Sequence, residues 1–383
     1  MDNTLKIAGM KKSFGKSLLY TLPMFLITFM FMTGGRPNFA DPASALAVVS
    51  AFLLVNVLYF FMHYTGKTDR YRAVLFIVFA LSLSFTLIRN MIEMRSSMSF
   101  SQADILECKI PFCHLVIPMM ILPAAFTKSI IFPGSIIGGF ANISSMVVLW
   151  LVATVVLGRG FCSWGCFYGG WDDGFSRIRK KPVINKISDI WKWMPFAVLI
   201  IISLTAALTL VPTYCDWICP FKAVTEFEQV TSVESAAKAG VFLTLFGGLV
   251  VILPVMTRKR TQCSFLCPLG AVNTLSNKIT PFTLKIDKNT CSECFKCVEV
   301  CPLFALTPED IKAGNVSIFC SKCGKCVDVC SRKAIHYGIK GIPPGTMKNF
   351  SRNLFLFVSF LFMAVFSAGS IISSLQNLLK LIF

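Results

Sequence analysis

Long apolar runs set the pattern of this chain. The runs near 18–34, 44–64 and 73–92 are each long enough to cross a hydrocarbon layer of about 30 Å as a helix. A fourth, 143–157, follows an apolar stretch from Leu115 to Phe140 broken by Pro118, Pro123, Lys128, Pro133 and the pair Gly138 and Gly139. Irregular backbone is tolerated at membrane depth only where protein or a cavity satisfies its polar groups, so this stretch is expected to be re-entrant and to pack against a site. Further spans are expected near 193–210, 239–256 and 354–375. Between the last two, over 279–345, the pattern turns polar and basic. The expectation is an all-α polytopic membrane protein of about seven spans plus a broken segment, carrying a small α+β extramembrane domain. It divides into a membrane domain at 1–278, the insert at 279–345 and a C-terminal transmembrane helix at 346–383.

Composition removes the alternatives. Of 383 residues 55% are hydrophobic and 15% charged, with 36 Phe and 16 Met, which leaves too little polar surface for a soluble globule and excludes disorder, a coiled coil and collagen. Charge then orients the spans. With a cytoplasmic N-terminus, segments 1–17, 65–72, 158–192 and 257–353 lie inside and hold 29 of the 37 Lys and Arg. The whole net charge of +18 falls on that face, as the positive-inside rule requires. The expected location is therefore a bacterial-type cytoplasmic (inner) membrane, with the insert also cytoplasmic. The N-terminal run reads as an uncleaved anchor. No aromatic-interleaved basic patch accompanies the charge, so anionic membrane lipid, not nucleic acid, is the expected partner.

The 16 cysteines carry the chemistry. In the insert, Cys291, Cys294, Cys297 and Cys301 are spaced C-x2-C-x2-C-x3-C-P; Cys320, Cys323, Cys326 and Cys330 are spaced C-x2-C-x2-C-x3-C-S. A compact loop wraps three thiolates around one cubane, while the fourth Cys of each run reaches the other cluster. Cys291, Cys294, Cys297 and Cys330 are thus expected to hold one [4Fe–4S] cluster, and Cys320, Cys323, Cys326 and Cys301 a second. Two zinc sites would also use four thiolates each but do not need this cross-linked tandem. The insert closely resembles the bacterial two-cluster ferredoxins, departing from them at Ser331, where that family usually has Pro.

The other eight cysteines fall at expected membrane boundaries, four to a face. Cys162 and Cys166 in GRGFCSWGC, with Cys263 and Cys267 in CSFLCPLGA, lie inside; Cys108 and Cys113 in ECKIPFCH, with Cys215 and Cys219 in CDWICPFKA, lie outside. Three of these pairs are C-x3-C, about one helical turn, so both sulfurs can face one way. The inner set reads as a third [4Fe–4S] cluster, with free thiols or zinc as the alternatives. The outer set reads as a fourth cluster, or as disulfides in an oxidising compartment. Cys108, Cys113 and His114 also form C-x4-C-H, a lengthened haem-attachment signal. Buried b-type haem finds little support, because His63 is expected near an inner boundary and His114 near the outer one, while His336 belongs to the insert.

With GRGFCSWGC after a span, a further span pair, CSFLCPLGA and then the two-cluster insert, residues 143–340 resemble the NapH/NosR/CcoG-type membrane polyferredoxin family. The resemblance places Cys162, Cys166, Cys263 and Cys267 on the family's paired C-x3-C-P motifs and implies electron transfer across or along the membrane. Two departures stand out: Phe167 follows Cys166 in place of Pro, and the N-terminal region reads as spans, without NosR's extracytoplasmic flavin-binding domain. The functional expectation is a membrane-bound iron–sulfur electron-transfer protein, a subunit of a quinol-dehydrogenase type of oxidoreductase. It would relay electrons between the insert, with a redox partner on the cytoplasmic side, and a quinone or an extracytoplasmic redox protein. A maturation reductase serving a partner metalloenzyme and a redox sensor are the competing readings. The broken stretch from His114 to Phe140 is the candidate quinone or partner pocket, or else a shield. Asp172, Asp173, Asp216 and Glu226 are candidate proton carriers or solvated boundary acids, and Lys222 either stabilises an anionic cluster or anchors the interface. Gly-rich phosphate loops, a nucleophile triad and a zincin motif are absent from the sequence.

Overall fold

A computed structural model describes residues 14–33, 41–96, 114–128, 143–184, 187–225, 232–343 and 346–382. Helix α1, Phe14–Thr33, packs on α2, Pro42–Thr65. Pro42 opens α2 and the Asp41 carboxylate accepts from Ala43 N, a side-chain cap on otherwise orphaned donors. Within the pair Asn56 Nδ2 donates to Thr28 Oγ1 at 3.0 Å, a polar tie between helices where packing lacks a hydrophobic drive. Gly66, at φ 73, ends α2, and α3, Thr68–Ser96, runs back along it. The C-terminal helix Lys348–Ile382 packs against all three and completes a bundle, tied to α3 by Ser374 Oγ donating to Ser82 O at 2.7 Å.

Among the described residues six helices are long and apolar enough to cross a membrane: Phe14–Thr33, Pro42–Thr65, Ile143–Trp164, Ile190–Thr209, Val233–Thr257 and Lys348–Lys380. The expected span at 73–92 lies inside α3. That helix opens on Asp69, Arg70 and Arg72, so its apolar part starts a turn in. Helix α4, Ile117–Phe126, preceded by a 3-10 turn at His114–Val116, is too short to cross and packs on the helix Met194–Thr209. This is the first part of the stretch read as broken; residues 129–142 lie outside the described residues.

A second fold-back is not apparent in the hydropathy. After Thr209 the chain turns at Leu210, φ 54, and residues 211–225 return into the protein, burying Tyr214, Cys219 and Phe221. The Phe221 ring lies 4.1 Å from Tyr168 and 6.2 Å from Phe246. Phe246 begins a π-helical segment, Phe246–Ile252, midway along Val233–Thr257, the kind of interruption that marks functional positions in a helix.

The insert closes on a two-stranded antiparallel sheet, β1 (Phe282–Ile286) with β2 (Ile335–Ile339), in register Leu284 to Tyr337. Both cysteine runs lie between the strands. Tyr337 stacks on Phe355 of the C-terminal helix at 4.6 Å, and Phe282 meets the same ring at 5.4 Å. The Asp328 carboxylate accepts from the backbone N–H groups of Thr68 (2.9 Å) and Asp69 (2.7 Å), so the insert caps the positive end of α3.

Burial lifts the Asp328 carboxyl to about 6, above the ordinary Asp value near 3.9. The proton is held more tightly in the folded state, so Asp328 contributes most below about pH 4 and progressively less as pH rises through about 6. Asp328→Asn is expected to flatten the dependence of thermal midpoint on pH in that window. Asp328→Ala is expected to cost about 1–2 kcal/mol by stranding two helix donors; unfolding of the purified protein in detergent checks both.

Candidate functional site

Three C-x3-C pairs are built alike. Cys162 and Cys263 sit in single helical turns, Phe161–Trp164 and Thr261–Phe265, while Cys166 and Cys267 are the N-caps of the next helices, Phe167–Phe175 and Pro268–Ser276. Cys219 ends the turn Tyr214–Ile218. All three second cysteines are extended, with ψ of 110°, 112° and 109°. At Cys166 and Cys267 this points the sulfur at the amide-rich start of a helix, where negative charge is favoured. Phe167 occupies the first helical position that Pro268 fills in the companion motif, and its ring is 5.8 Å from that of His114.

The chain brings Cys162, Cys166, Cys263 and Cys267 together. Burial first, then Cys162 and Cys267, pushes the Cys166 thiol well above its ordinary value, and burial with Cys162 raises Cys267 to about 12. Thiols buried this deeply beside one another become thiolates readily when they ligate a cationic centre. The surroundings suit an anionic metal–thiolate group. Arg260, fully buried, donates to Cys263 Sγ (3.1 Å), Cys162 O (2.7 Å) and Ser163 Oγ (2.8 Å). Arg159, also buried, lies within electrostatic reach of Cys162, Cys263 and Cys267 while its Nε and Nη1 lack protein partners. Those two buried donors near three of the four thiols fit a cluster with negative charge at its sulfurs. A Cβ on Gly169 would come within 2.3 Å of Arg260 Nη2 and 2.4 Å of Cys162 O, so the close approach of helix to cage needs glycine there.

His114 departs from its expected place. The outer boundary was anticipated, yet its Nε2 is 3.1 Å from Cys166 Sγ, with the Phe161 and Tyr168 rings 5.5 and 5.7 Å away. The short helix α4 carries it inward, a tertiary contact that hydropathy does not encode. A ligating thiolate carries no proton, so the contact is a hydrogen bond only when Nε2 bears the hydrogen. Cys215 and Cys219 are likewise not remote from the inner set. Tyr214 lies within reach of Cys219, Cys267 and Cys215, and Gln262 Nε2, next to Cys263, donates to the Tyr214 hydroxyl at 3.1 Å. Their expected partners Cys108 and Cys113 lie outside the described residues, as does the C-x4-C-H reading. Asp216 pairs with Lys238 at 3.1 Å, and Glu226 is outside the described residues.

In the insert a cavity is lined by Cys291, Cys294, Cys297 and Cys330, and Cys297, raised to about 11 chiefly by burial, feels Cys294 and Cys330. Burial pushes Cys326 well up, followed by Cys320, Cys323 and Cys301. Each run thus meets the fourth Cys of the other. No three His, Cys, Asp or Glu side chains among the described residues converge tightly enough for a single ion; zinc would draw its ligands to about 2.0–2.3 Å from one centre, whereas a cubane spreads them over its corners. Nor is any disulfide formed among the twelve cysteines of the insert and inner set.

The second run of the insert is locked to the loop bearing Cys162. Ser163 Oγ donates to Ser321 Oγ (2.8 Å), and Trp164 Nε1 to Lys322 O (3.2 Å). Lys322 Nζ reaches Leu157 O (2.8 Å) and Asn277 Oδ1 (2.7 Å); burial lowers its ammonium to about 7. Arg72 spans the joint, donating to Cys323 O (3.1 Å) and Ser163 O (2.9 Å) while paired with Asp69 and Asp173. Asp172 accepts from Cys263 N at 2.9 Å. Asp172 and Asp173 are therefore buried structural acids, not solvated ones. Arg72, Arg260 and Lys322 were missed in the sequence, which offers no local pattern to single them out.

The 4Fe-4S dicluster domain family matches residues 283–331, and a 4Fe-4S binding domain family matches three stretches, 139–185, 191–229 and 239–287, each enclosing one C-x3-C pair. The chain is similar to "Ferredoxin-type protein NapH" of Escherichia coli (27% identity, covering 42% of this chain and 53% of the relative) and to "Putative electron transport protein YccM" of the same organism (23%, covering 41% and 45%). It is also similar to "Methylamine utilization ferredoxin-type protein MauN" of Methylobacillus flagellatus (26%, covering 40% and 54%). The chain thus spans about half the length of these curated relatives. No solved structure matches it. Membrane-length helices with a dicluster insert define a multi-pass iron–sulfur protein of the ferredoxin type that binds multiple [4Fe–4S] clusters. In its motifs and its relatives the chain is similar to the NapH-type membrane polyferredoxins.

Arg260→Met is expected to strand three contacts at the inner cage and cost about 3 kcal/mol or more, the scale for removing one partner of a buried charge set. Iron content and thermal midpoint measure it. His114→Phe keeps an aromatic ring but loses the donor; since a hydrogen bond to sulfur favours the reduced cluster, one component of a redox titration should move to lower potential, by up to roughly 59 mV if the equilibrium shifts tenfold.

Proposed function

We propose that this chain is an electron-transfer subunit of a respiratory-type oxidoreductase in a bacterial-type cytoplasmic membrane. It relays electrons between a redox partner at the cytoplasmic insert and a quinone or an extracytoplasmic redox protein. The observation that carries the reading is the joint between insert and membrane domain, where Arg72, Ser163, Trp164 and Lys322 fix the Cys320–Cys326 loop against the Cys162 loop. A sensor or tethered domain does not need a joint made from buried, mutually hydrogen-bonded polar and charged side chains. When bound, the clusters supply one-electron transfer.

The chain's own residues do the rest. Cys291, Cys294, Cys297 and Cys330 would hold one cluster, Cys320, Cys323, Cys326 and Cys301 the second, and Cys162, Cys166, Cys263 and Cys267 the third. Cys215 and Cys219 would serve a fourth with Cys108 and Cys113; the repeated backbone geometry at Cys219 and the family match over 191–229 favour this over disulfides. Trp164, Phe161 and Leu157, all nearly inaccessible, exclude water between the third cage and the insert, while Arg159 and Arg260 balance thiolate charge. The division into a membrane domain (1–278), insert (279–345) and C-terminal helix (346–383), with the insert inside, follows the charge asymmetry of 29 of 37 cations on that face.

Anaerobic iron and acid-labile sulfide counts with EPR test the assignment. About sixteen iron atoms per chain are expected for four cubanes, while about eight would leave only the insert loaded. Cys215→Ala should remove one EPR component and leave the others; an unchanged spectrum would count against the fourth cage. In membranes, a quinol analogue should reduce the clusters on the timescale of turnover, and failure to do so would turn the reading toward a maturation reductase.

A further inference from the structure

The insert's two cages differ in one respect that bears on what meets them. Cys301, Cys323 and Cys326 are buried and Cys320 is half-buried under the membrane domain, whereas Cys294 is exposed at the mouth of the cavity it shares with Cys291, Cys297 and Cys330. That mouth is rimmed by Lys296 and Arg332, with Lys288 and Lys333 exposed in the adjoining turns. Against these stands one rim acid, Glu293. The other acids of the insert are engaged or face elsewhere: Asp287 pairs with Lys348, Asp310 caps its own helix, Asp328 caps α3, and Glu299 and Glu309 line a separate cavity beside Lys259. Among the described residues Lys288, Lys296 and Arg332 enter no ion pair. A surface that serves only to sit near lipid has no reason to centre its cations on a cysteine cage.

We propose that the basic rim around Cys294 is the docking surface for a soluble, acidic one-electron carrier protein, which exchanges electrons with the insert there. This rests on the insert holding its two clusters. One electron leaves the reduced carrier and one is gained at the insert; no bond is made or broken. Opposite charge steers such encounters and orients the carrier's redox edge toward Cys294, an effect that acts on association rate and fades with salt.

The test uses the full-length protein in neutral-lipid nanodiscs, with the insert's clusters first verified by iron content and EPR, and stopped-flow reduction by an acidic flavodoxin hydroquinone. The second-order rate should fall roughly tenfold or more between about 0.05 and about 0.5 M salt. Charge reversal in Lys296→Glu/Arg332→Glu should lower it by a similar factor at low salt, with reduction by a neutral photoreduced flavin unchanged. The salt dependence of the unaltered protein decides the matter should the double variant lose iron. A rate indifferent to salt and to charge reversal overturns the proposal. So does a variant that reacts normally with the carrier but no longer binds vesicles of anionic lipid, which would assign the rim to the membrane. Protein without iron in the insert would overturn the cluster assignment itself, and the proposal with it.

Discussion

Everything in this molecule turns on placing like-charged sulfurs together where water cannot screen them. Three of the inner thiols are buried and the fourth is half-buried; burial first, and the neighbouring sulfurs after it, push Cys166, Cys263 and Cys267 up, and a metal–thiolate group in that position would carry negative charge into a poorly polarisable medium. Two buried guanidiniums answer it. Arg260 bonds directly to Cys263 and to the Cys162 carbonyl, and Arg159, within electrostatic reach of Cys162, Cys263 and Cys267, has two donors without a hydrogen-bond partner. Removing the sulfurs would leave buried cations with too few partners, and removing the cations would leave thiolates unbalanced, so cage and cradle are a single unit.

The same logic explains how the insert is held. A soluble ferredoxin needs no partner to fold around its clusters, but here charged and polar groups are spent on the contact with the membrane domain. Arg72 touches both the Cys323 loop and the Cys162 loop, and it is itself held by Asp69 and Asp173, with Arg177 completing the network. A hydrogen-bonded ionic joint of this kind is directional where apolar contact is not, which suits two cofactor sites that must keep a fixed separation. Cys294 of the other run is left exposed, so one cysteine run is sealed against the membrane domain and the other is accessible.

Much of this was legible in the linear chain because the signals are local. Apolar runs report spans regardless of what they pack against, and C-x2-C-x2-C-x3-C reports a cubane-binding loop because the spacing alone decides which sulfurs one loop can offer. The nearness of each run to the fourth cysteine of the other and of the two inner C-x3-C pairs to each other agrees with that reading, and the short helix Ile117–Phe126 falls in the first part of the stretch read as broken.

What the sequence could not give is where non-local segments come to rest. Hydropathy put His114 at the outer boundary and the Cys215–Cys219 turn away from the inner set, because it counts residues along a helix and has no term for a chain that turns back at Leu210 or a ten-residue helix that never crosses. Nor could it show that Asp172 and Asp173 are buried acids or that Lys322 reaches Leu157 and Asn277, since a charged residue in a boundary loop looks the same in sequence whether it meets water or a buried partner. Sequence by itself determined the membrane character and the iron–sulfur chemistry, and it nominated the cysteines proposed to carry it. The tertiary structure decided which groups surround those cysteines, because that depends on contacts between segments distant in the chain, such as His114 with Cys166 and Ser163 with Ser321, which no local pattern records.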